Sequence, residues 1–157
     1  AAPPINDEAA SVAFLEVQPR HTSAHLARAV YEGIVFELRA GIEALEHAVN
    51  TSITSIKLVG SAVNSPFWLD MRSKLMRRPI ALPRHHDMVP LGAAVLAGLG
   101  AGVWASPTDA LEAIAPHTFT EPQDVPVDST EIDIYQVRYK RYVTARAALQ
   151  DWRKSLT

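Results

Sequence analysis

The residues whose types best suit ligand binding form one short turn, Gly60-Ser61-Ala62-Val63-Asn64-Ser65. The apolar run Ile56–Val59 precedes this turn, and Ser65-Pro66 follows as the N-cap and first-turn proline of a helix. Small side chains let a ligand approach the backbone, and a helix N-terminus offers unpaired N–H groups and a positive dipole end. The turn therefore suits a phosphate or the edge of a nucleotide. An ordinary strand-to-helix turn capped by Ser65 has the same pattern, because one glycine is a weak signal.

Two further polar clusters are more simply interpreted as solvated segments than as binding sites. His85-His86-Asp87 lacks the i, i+4 spacing that brings ligands to one ion from a helix, so a solvated loop is favoured over a metal site. A run of basic residues lacks the interleaved aromatic residues that stack on bases, so a solvated helix end is favoured over an RNA surface. This run consists of Arg72, Lys74, Arg77, Arg78 and Arg84.

Acidic and tyrosine residues lie on two segments with helical spacing. The carboxylates of the first segment have no obvious acid/base partner, so a paired-carboxylate hydrolase is not indicated. The tyrosines of the second segment favour core packing. Neither a Gly-x-Ser-x-Gly nor a Walker pattern occurs. The residues concerned are Glu32, Glu37, Glu43 and Glu46, and Tyr135, Tyr139 and Tyr142.

The elements that must position these residues alternate between strands and helices. We expect a short strand over 11–17, a long helix from the N-cap Thr22 to about Val49, and a strand over 56–59. A helix from Ser65-Pro66 to about Met76, a strand over 79–83, a helix over 89–99 and a helix from Ser106-Pro107 to about Ile114 follow. A proline-rich connection over 116–128 leads to a terminal helix from Ser129. This order predicts an α/β layer architecture with at least part of the sheet parallel.

The composition narrows the class of protein. Of 157 residues, 48% are hydrophobic and 20% charged, so the chain has enough apolar side chains to bury a sizeable core. A net charge of −2 argues against a nucleic-acid partner. No cysteine is present, which excludes disulfides and thiolate chemistry, and no segment predicts a membrane span or a signal peptide. We therefore expect a soluble, cytoplasmic protein.

Five stretches, in order along the chain, carry a resemblance to a known family. They are residues 24–36 (AHLARAVYEGIVF), residues 58–68 (LVGSAVNSPFW), residues 78–80 (RPI), residues 91–102 (LGAAVLAGLGAG) and residues 139–142 (YKRY). Together they resemble the C-terminal part of an FGGY-family carbohydrate kinase of the xylulokinase type. The resemblance covers nearly the whole chain from about Ser11.

The resemblance implies an α/β fold, the C-terminal lobe of an actin-like (ribonuclease H-like) ATPase, incomplete at its N-terminal side and ending in a long helix. It implies a leader over 1–10, the partial lobe over 11–128 and the terminal helix over 129–157. It further implies ATP-dependent phosphorylation of a sugar or polyol hydroxyl, with xylulose or a related pentulose as substrate and ATP/ADP and Mg²⁺ as cofactors. The nucleotide-binding residues it implies are Gly60, Ser61, Ala62, Asn64 and Ser65.

Two departures from the family pattern shape these expectations. Ser61 stands where the family usually has a second glycine, so we expect its side chain to narrow the nucleotide approach or its backbone to be strained. No Asp of this chain is followed by Gly at either of the next two positions, so the catalytic Asp is expected upstream and the chain alone is expected to be inactive. Its partners would be the missing N-terminal lobe or another chain, including a second copy. The alternative is a non-catalytic interaction or regulatory domain that retains the fold.

Overall fold

The computed structural model describes residues 12–85, 88–122 and 129–155, and within them five helices and two short strands. The helices are α1 (Ser23–Val49), α2 (Pro66–Met76), α3 (Met88–Gly100), α4 (Pro107–Thr118) and α5 (Ser129–Lys154). The strands are β1 (Ile56–Lys57) and β2 (Ile80–Ala81), and a 3-10 turn spans Ser61–Asn64. The chain divides into two units, Ala1–Ile53 with Lys74–Met76 and Val127–Thr157, and Thr54–Ser73 with Arg77–Pro126.

The first unit is built on the long helices α1 and α5. Val35, Phe36 and Ala40 of α1 are buried, as are Tyr135 and Tyr139 of α5. The Phe36 ring lies 5.6 Å from the ring of Tyr139 and 5.3 Å from that of Tyr142, in tilted arrangements that aromatic pairs favour. The predicted packing role of the tyrosines is thus confirmed.

The second unit holds the sheet. β1 pairs in parallel with β2, with Ile56 opposite Ile80 and Lys57 opposite Ala81. The Ile56 N–H donates to Pro79 O at 2.9 Å and the Leu58 N–H to Ala81 O at 3.1 Å. The expectation of a parallel sheet is confirmed, although both strands are shorter than the sequence predicts.

Local capping signals place the helix starts correctly. Thr22, Ser65 and Ser106 are the N-caps of α1, α2 and α4, and proline occupies the first turn after Ser65 and Ser106. The side chain of Ser106 accepts from the Asp109 N–H at 3.1 Å, which satisfies one orphan donor of α4. Each of these helix starts depends on residues only a few positions apart, and the sequence therefore predicts where they lie.

The strand expected over 11–17 is wrong. Residues 12–17 form no strand, and Glu16 has φ of 56°, in the left-handed region that interrupts an extended run. A strand also needs a neighbour for its backbone N–H and C=O groups, and the pairing of these groups cannot be read from apolar character alone. Ser11 itself lies outside the described residues.

The end of α4 also differs from expectation. The helix continues through Pro116 to Thr118, so the start of the predicted proline-rich connection is helical. Past it, the Arg84 N–H donates to Thr118 O at 2.9 Å and the Thr120 N–H donates to Leu82 O at 2.8 Å. Pairing with the segment after β2 therefore fixes this end and offsets the cost of an internal proline. Residues 123–128 of the connection, and the leader over 1–10, lie outside the described residues.

Candidate functional site

The predicted ligand-binding turn is a tight loop between β1 and α2. Gly60 has φ of 91°, a conformation that L side chains rarely adopt, and a β-carbon there would meet no atom within 4 Å. The glycine is needed for its backbone conformation and not for space. The Val63 N–H donates to Gly60 O at 3.2 Å as the chain enters the 3-10 turn.

Ser61 begins the 3-10 turn, in which φ is negative. Gly60 takes a positive φ in this loop. The expectation that the Ser61 side chain narrows the nucleotide approach, or that its backbone is strained, stays a prediction.

Ser65 ends the loop as the N-cap of α2. Its backbone is extended, with φ of −107° and ψ of 112°, and its carbonyl accepts from the Leu69 N–H at 3.0 Å. Its Oγ accepts from the Trp68 N–H at 3.5 Å, which is long for such a bond. The N-terminus of α2 thus presents its first-turn backbone N–H groups and the positive end of the helix dipole next to this loop.

The five predicted residues, Gly60, Ser61, Ala62, Asn64 and Ser65, therefore lie in one loop that begins after a strand and ends on a helix N-terminus. No carboxylate lies in this loop. Its chemistry is that of backbone N–H groups, one amide side chain and hydroxyl-bearing residues. Such a loop can hold an anion or a nucleotide edge, and it holds no group for acid/base catalysis.

The basic run is in part the solvated helix end that the sequence predicts, since Arg77 and Arg84 are exposed. The Arg72 guanidinium lies 5.0 Å from the centre of the Trp68 ring, and burial lowers the pKa of Arg72. Lys74 Nζ lies 2.8 Å from Glu131 Oε2, and Arg84 Nε donates to Phe119 O at 2.9 Å. These three cations therefore also have partners within the chain. The predicted metal candidates His86 and Asp87 lie outside the described residues.

The acidic residues of α1 are bound by residues of α5 and α1 itself. Glu32 accepts from Arg28 Nε and Arg138 Nη1, both at 2.9 Å, and Glu43 accepts from Arg39 Nε at 2.8 Å and from the Tyr139 hydroxyl at 2.6 Å. Sequence reasoning missed these partners, although the i, i+4 spacing of Arg28–Glu32 and Arg39–Glu43 signals half of them.

Glu37 and Glu46 are also bound. Glu37 accepts from Arg146 Nη1 at 3.0 Å and from the Tyr142 hydroxyl, and Glu46 accepts from the Ile53 N–H at 2.8 Å. The four carboxylates of α1 thus have structural partners. This agrees with the interpretation that none of them acts as a hydrolase acid or base.

Burial raises the pKa of both Tyr139 and Tyr142, and the hydrogen bonds to Glu43 and Glu37 raise the pKa values further. A neutral phenol can donate to a carboxylate, whereas a phenolate beside a carboxylate would be repelled. Both tyrosines therefore remain donors across the physiological range of pH.

A second concave surface, which we call the α1–α5 groove, lies in the first unit and has a volume of about 1270 Å³. It excludes every residue of the Gly60–Ser65 loop. Polar residues such as Glu32 and Arg138 contribute to it as mutual partners. Its exposed large apolar residues are Val12, Phe14, Leu15, Val17, Val30, Ile34 and Ile134.

Neither a membrane span nor a metal cluster is found within the ranges that the structure covers. No helix there has both the length and the apolar character to cross a bilayer. Groups of three or more His, Cys, Asp or Glu side chains that could hold a metal ion are also absent from the described residues.

Comparisons with a family profile and with known sequences agree on one protein family. The profile of the C-terminal domain of the FGGY family of carbohydrate kinases matches residues 2–101. Glycerol kinase 5 of Danio rerio is 29% identical over 153 residues, which cover 98% of this chain and 27% of that protein. The L-xylulose/3-keto-L-gulonate kinase of Escherichia coli is 32% identical over 145 residues, covering 87% of this chain and 26% of that protein.

A solved structure agrees with these sequence matches. The ligand-bound xylulose kinase of Lactobacillus acidophilus superposes with a TM-score of 0.76 at 25% identity, over 99% of this chain and 30% of that protein. The chain therefore spans about a quarter of the length of the curated relatives it matches.

Proposed function

The chain belongs to the FGGY family of carbohydrate kinases, with the α/β fold of the C-terminal lobe of an actin-like ATPase, and we propose that it is the nucleotide-binding part of an ATP-dependent sugar or polyol kinase. Its relatives are kinases, so the intact family is enzymatic. We place the nucleotide against Gly60, Ser61, Ala62, Asn64 and Ser65.

The observation that carries this proposal is the open, glycine-led loop on the N-terminus of α2. A β-carbon at Gly60 would meet nothing within 4 Å, so the backbone there is approachable. The Trp68 N–H donates to Ser65 Oγ at 3.5 Å in the first turn of α2, where backbone N–H groups have no partner within the helix. A phosphate oxygen is a stronger, charged acceptor and would also be favoured by the positive end of the helix dipole.

Bound ATP would supply the phosphoryl group to be transferred. The loop would contribute binding and orientation, because positioning and electrostatic stabilisation provide most of the catalysis in such reactions. The catalytic Asp that removes the proton from the substrate hydroxyl lies outside this chain in our proposal. The chain alone is then inactive.

Mg²⁺ is implied by the family but does not fit the residues of the Gly60–Ser65 loop. Mg²⁺ prefers oxygen ligands, above all carboxylates and phosphates, and no carboxylate lies between Gly60 and Ser65. The described residues also hold no cluster of metal-binding side chains. We therefore derive no step of the reaction through the ion.

The substrate we propose is xylulose or a related pentulose, phosphorylated on a hydroxyl when the rest of the kinase is present. The support is the likeness to kinases whose names specify xylulose or L-xylulose. Glycerol kinase 5 has a similar sequence identity to this chain, so a polyol is the alternative substrate that we propose. A cytoplasmic location accords with this chemistry because ATP and free sugars meet there.

The partner we propose is the polypeptide that forms the other three quarters of the relatives. The α1–α5 groove supports this because apolar side chains such as Phe14, Leu15 and Ile34 are exposed along it. Several exposed apolar side chains along one groove are typical of an interaction site.

Calorimetric titration of the 157-residue chain with ADP and Mg²⁺ tests the nucleotide site directly. We expect binding with Kd below ~1 mM, equivalent to about −4 kcal/mol. Gly60→Val should weaken it at least about tenfold, because a β-branched residue cannot hold the φ of 91° and the loop must move.

Gly102→Val is the matched control. Gly102 also has a positive φ, of 75°, with open space around it, but it lies after α3 and away from the loop in sequence. It should lose similar stability and keep full affinity. Absence of binding by the wild-type chain at millimolar ADP would instead support the second candidate, a non-catalytic interaction domain, which the exposed apolar groove favours.

A further inference from the structure

The N-terminus of α1 is capped with the help of a histidine. His25 is the third residue of the helix, and its Nδ1 accepts from the N–H of the N-cap residue Thr22 at 3.2 Å. Thr22 Oγ1 lies 2.8 Å from the same nitrogen. A capping box ordinarily has Glu or Gln at this position, because either side chain accepts from the N-cap N–H. Histidine does so only while it is neutral, and its charge changes between about pH 5 and pH 8.

His21 makes an equivalent bond in the turn before the helix. Its Nδ1 accepts from the Gln18 N–H at 3.1 Å, and its own backbone N–H donates to Gln18 O at 2.9 Å. This turn, residues 18–21, joins α1 to the segment 12–17. Side chains of that segment line the α1–α5 groove together with His21 and His25. The two histidines therefore hold the connection between α1 and one side of the groove.

These two bonds define the protonation state of the rings. A backbone N–H can only donate, so each Nδ1 is unprotonated and each neutral ring carries its hydrogen on Nε2. Protonation puts a hydrogen on Nδ1, which then no longer accepts. The contact with the Thr22 hydroxyl survives with its direction reversed, whereas the N–H groups of Gln18 and Thr22 lose their partners. Acid therefore opens the turn and removes half of the capping box.

Protonation also places two positive charges at the positive end of the α1 dipole. The centres of the His21 and His25 rings lie 5.5 Å apart. Like charges at this distance repel each other, and a cation at a helix N-terminus destabilises the first turn. The loss of the two hydrogen bonds and this repulsion act in the same direction.

The other charged groups that face the groove come from α1 and α5. They are Arg28, Glu32, Glu37, Glu131, Arg138, Arg146 and Arg153. Each of these glutamates is bound by a cation, as Glu32 is by Arg28 and Arg138. Glu16 and Arg20, in the stretch before His21, are exposed and opposite in charge. In the part of the chain that the structure describes, neither imidazole forms an ion pair, so protonation gains no carboxylate partner there.

We propose that His21 and His25 form a pH switch, which holds the segment 12–17 to the start of α1 at neutral pH and releases it in acid. The neutral rings make both bonds, so their contribution to stability is full above the titration range of histidine and is lost as the pH falls through that range. The switch lies within the first unit and requires no nucleotide. Because the released segment forms one side of the α1–α5 groove, acid changes the surface that we assign to the partner polypeptide.

The ring tautomers of the isotope-labelled chain test the geometry by NMR. At about pH 7.5, His21 and His25 should both carry their hydrogen on Nε2, with an unprotonated Nδ1. A hydrogen on Nδ1 of either ring at this pH would overturn the proposal, because that nitrogen would be unable to accept from the backbone.

Release is measured on the full chain at about pH 7.5 and about pH 5. Amide exchange, corrected for its intrinsic dependence on pH, should show the protection of the first two turns of α1 falling about three- to tenfold in wild type, as expected for loss of a helix cap. The heteronuclear NOE of residues 12–17 should fall over the same pH change. An unchanged NOE would overturn release of the segment.

The double variant His21→Asn/His25→Gln separates the switch from general effects of acid. Its amide oxygens replace both acceptors and do not titrate, so protection should change by less than about twofold between the two pH values. His25→Ala removes one acceptor at every pH and should already show reduced protection of the first turn at neutral pH.

His47→Gln is the matched control. His47 lies in the last turn of the same helix, is exposed and accepts no backbone N–H within the described residues. This variant should lose as much protection in acid as wild type does. Equal acid sensitivity of wild type and the double variant, or no acid-dependent loss in wild type, would overturn the proposal.

Discussion

At the residue scale, the side chains that suit ligand binding differ from those that look reactive by type. In the loop, Gly60 is required for its positive φ and Ser65 is the N-cap of α2. The tyrosines and glutamates of α1 and α5 look reactive by type, yet they are partners of one another. Tyr139 donates to Glu43 at 2.6 Å and is stacked under Arg39. Residue type alone does not distinguish a catalytic group from a packed one.

Replacing Tyr139 with Phe should destabilise the fold by about 1 kcal/mol at neutral pH, because a hydrogen bond to Glu43 is lost. The folded-state pKa of Tyr139 is raised by burial above its unfolded value of about 10. The contribution of the phenol is therefore full below about pH 10 and is lost as pH rises further. The difference in unfolding free energy between wild type and Tyr139→Phe should be constant below about pH 9 and shrink as the pH rises above about 10.

Urea denaturation at each pH measures this difference. Every other ionisable group is common to the two proteins, so the comparison isolates the phenol of Tyr139. A difference that stays constant, or grows, over the alkaline range would show that Tyr139 does not carry a raised pKa.

At the element scale, the helices follow from local signals and the strands do not. Ser65-Pro66 and Ser106-Pro107 fix two helix starts within four residues each. The strand expected over 11–17 fails because pairing requires a neighbour that no local pattern supplies, and because Glu16 is left-handed. The contact of Glu43 with Tyr139 was likewise hidden, since the two residues lie 96 positions apart in the sequence. The loop was predictable because its residues are contiguous.

The end of α2 offers a test of its capping. Arg77 is the C-cap, with φ of 52°, and its N–H donates to Ser73 O. Glycine adopts this left-handed conformation without the clash of a β-carbon. Arg77→Gly should therefore stabilise the fold by about 0.5–1 kcal/mol in urea denaturation.

Asn50→Gly is the matched comparison, because Asn50 caps α1 with φ of 50° and its N–H donates to Glu46 O. Asparagine tolerates the left-handed region, so this change should alter stability by much less. An equal gain at both positions, or a loss at Arg77, would contradict the strain assigned to Arg77.

At the scale of the whole molecule, the chain has two surfaces that suit different roles in our proposal, nucleotide binding and contact with another polypeptide. The Gly60–Ser65 loop lies in the second unit and carries the features of an anion site. The α1–α5 groove lies in the first unit and carries exposed apolar side chains. The chain covers 27% of glycerol kinase 5 of Danio rerio, and the Gly60–Ser65 loop contains no carboxylate. In our proposal the chain binds nucleotide, and the catalytic Asp lies in the remaining polypeptide.

The most direct test of this account is the map of backbone amide shifts of the isotope-labelled chain on titration with ADP and Mg²⁺. We predict saturable shifts concentrated from Gly60 to Leu69, through the loop and the first turn of α2, with the residues of the α1–α5 groove unchanged. Shifts concentrated in the groove, or no saturable shifts at millimolar ADP, would contradict the assignment of the loop as the nucleotide site.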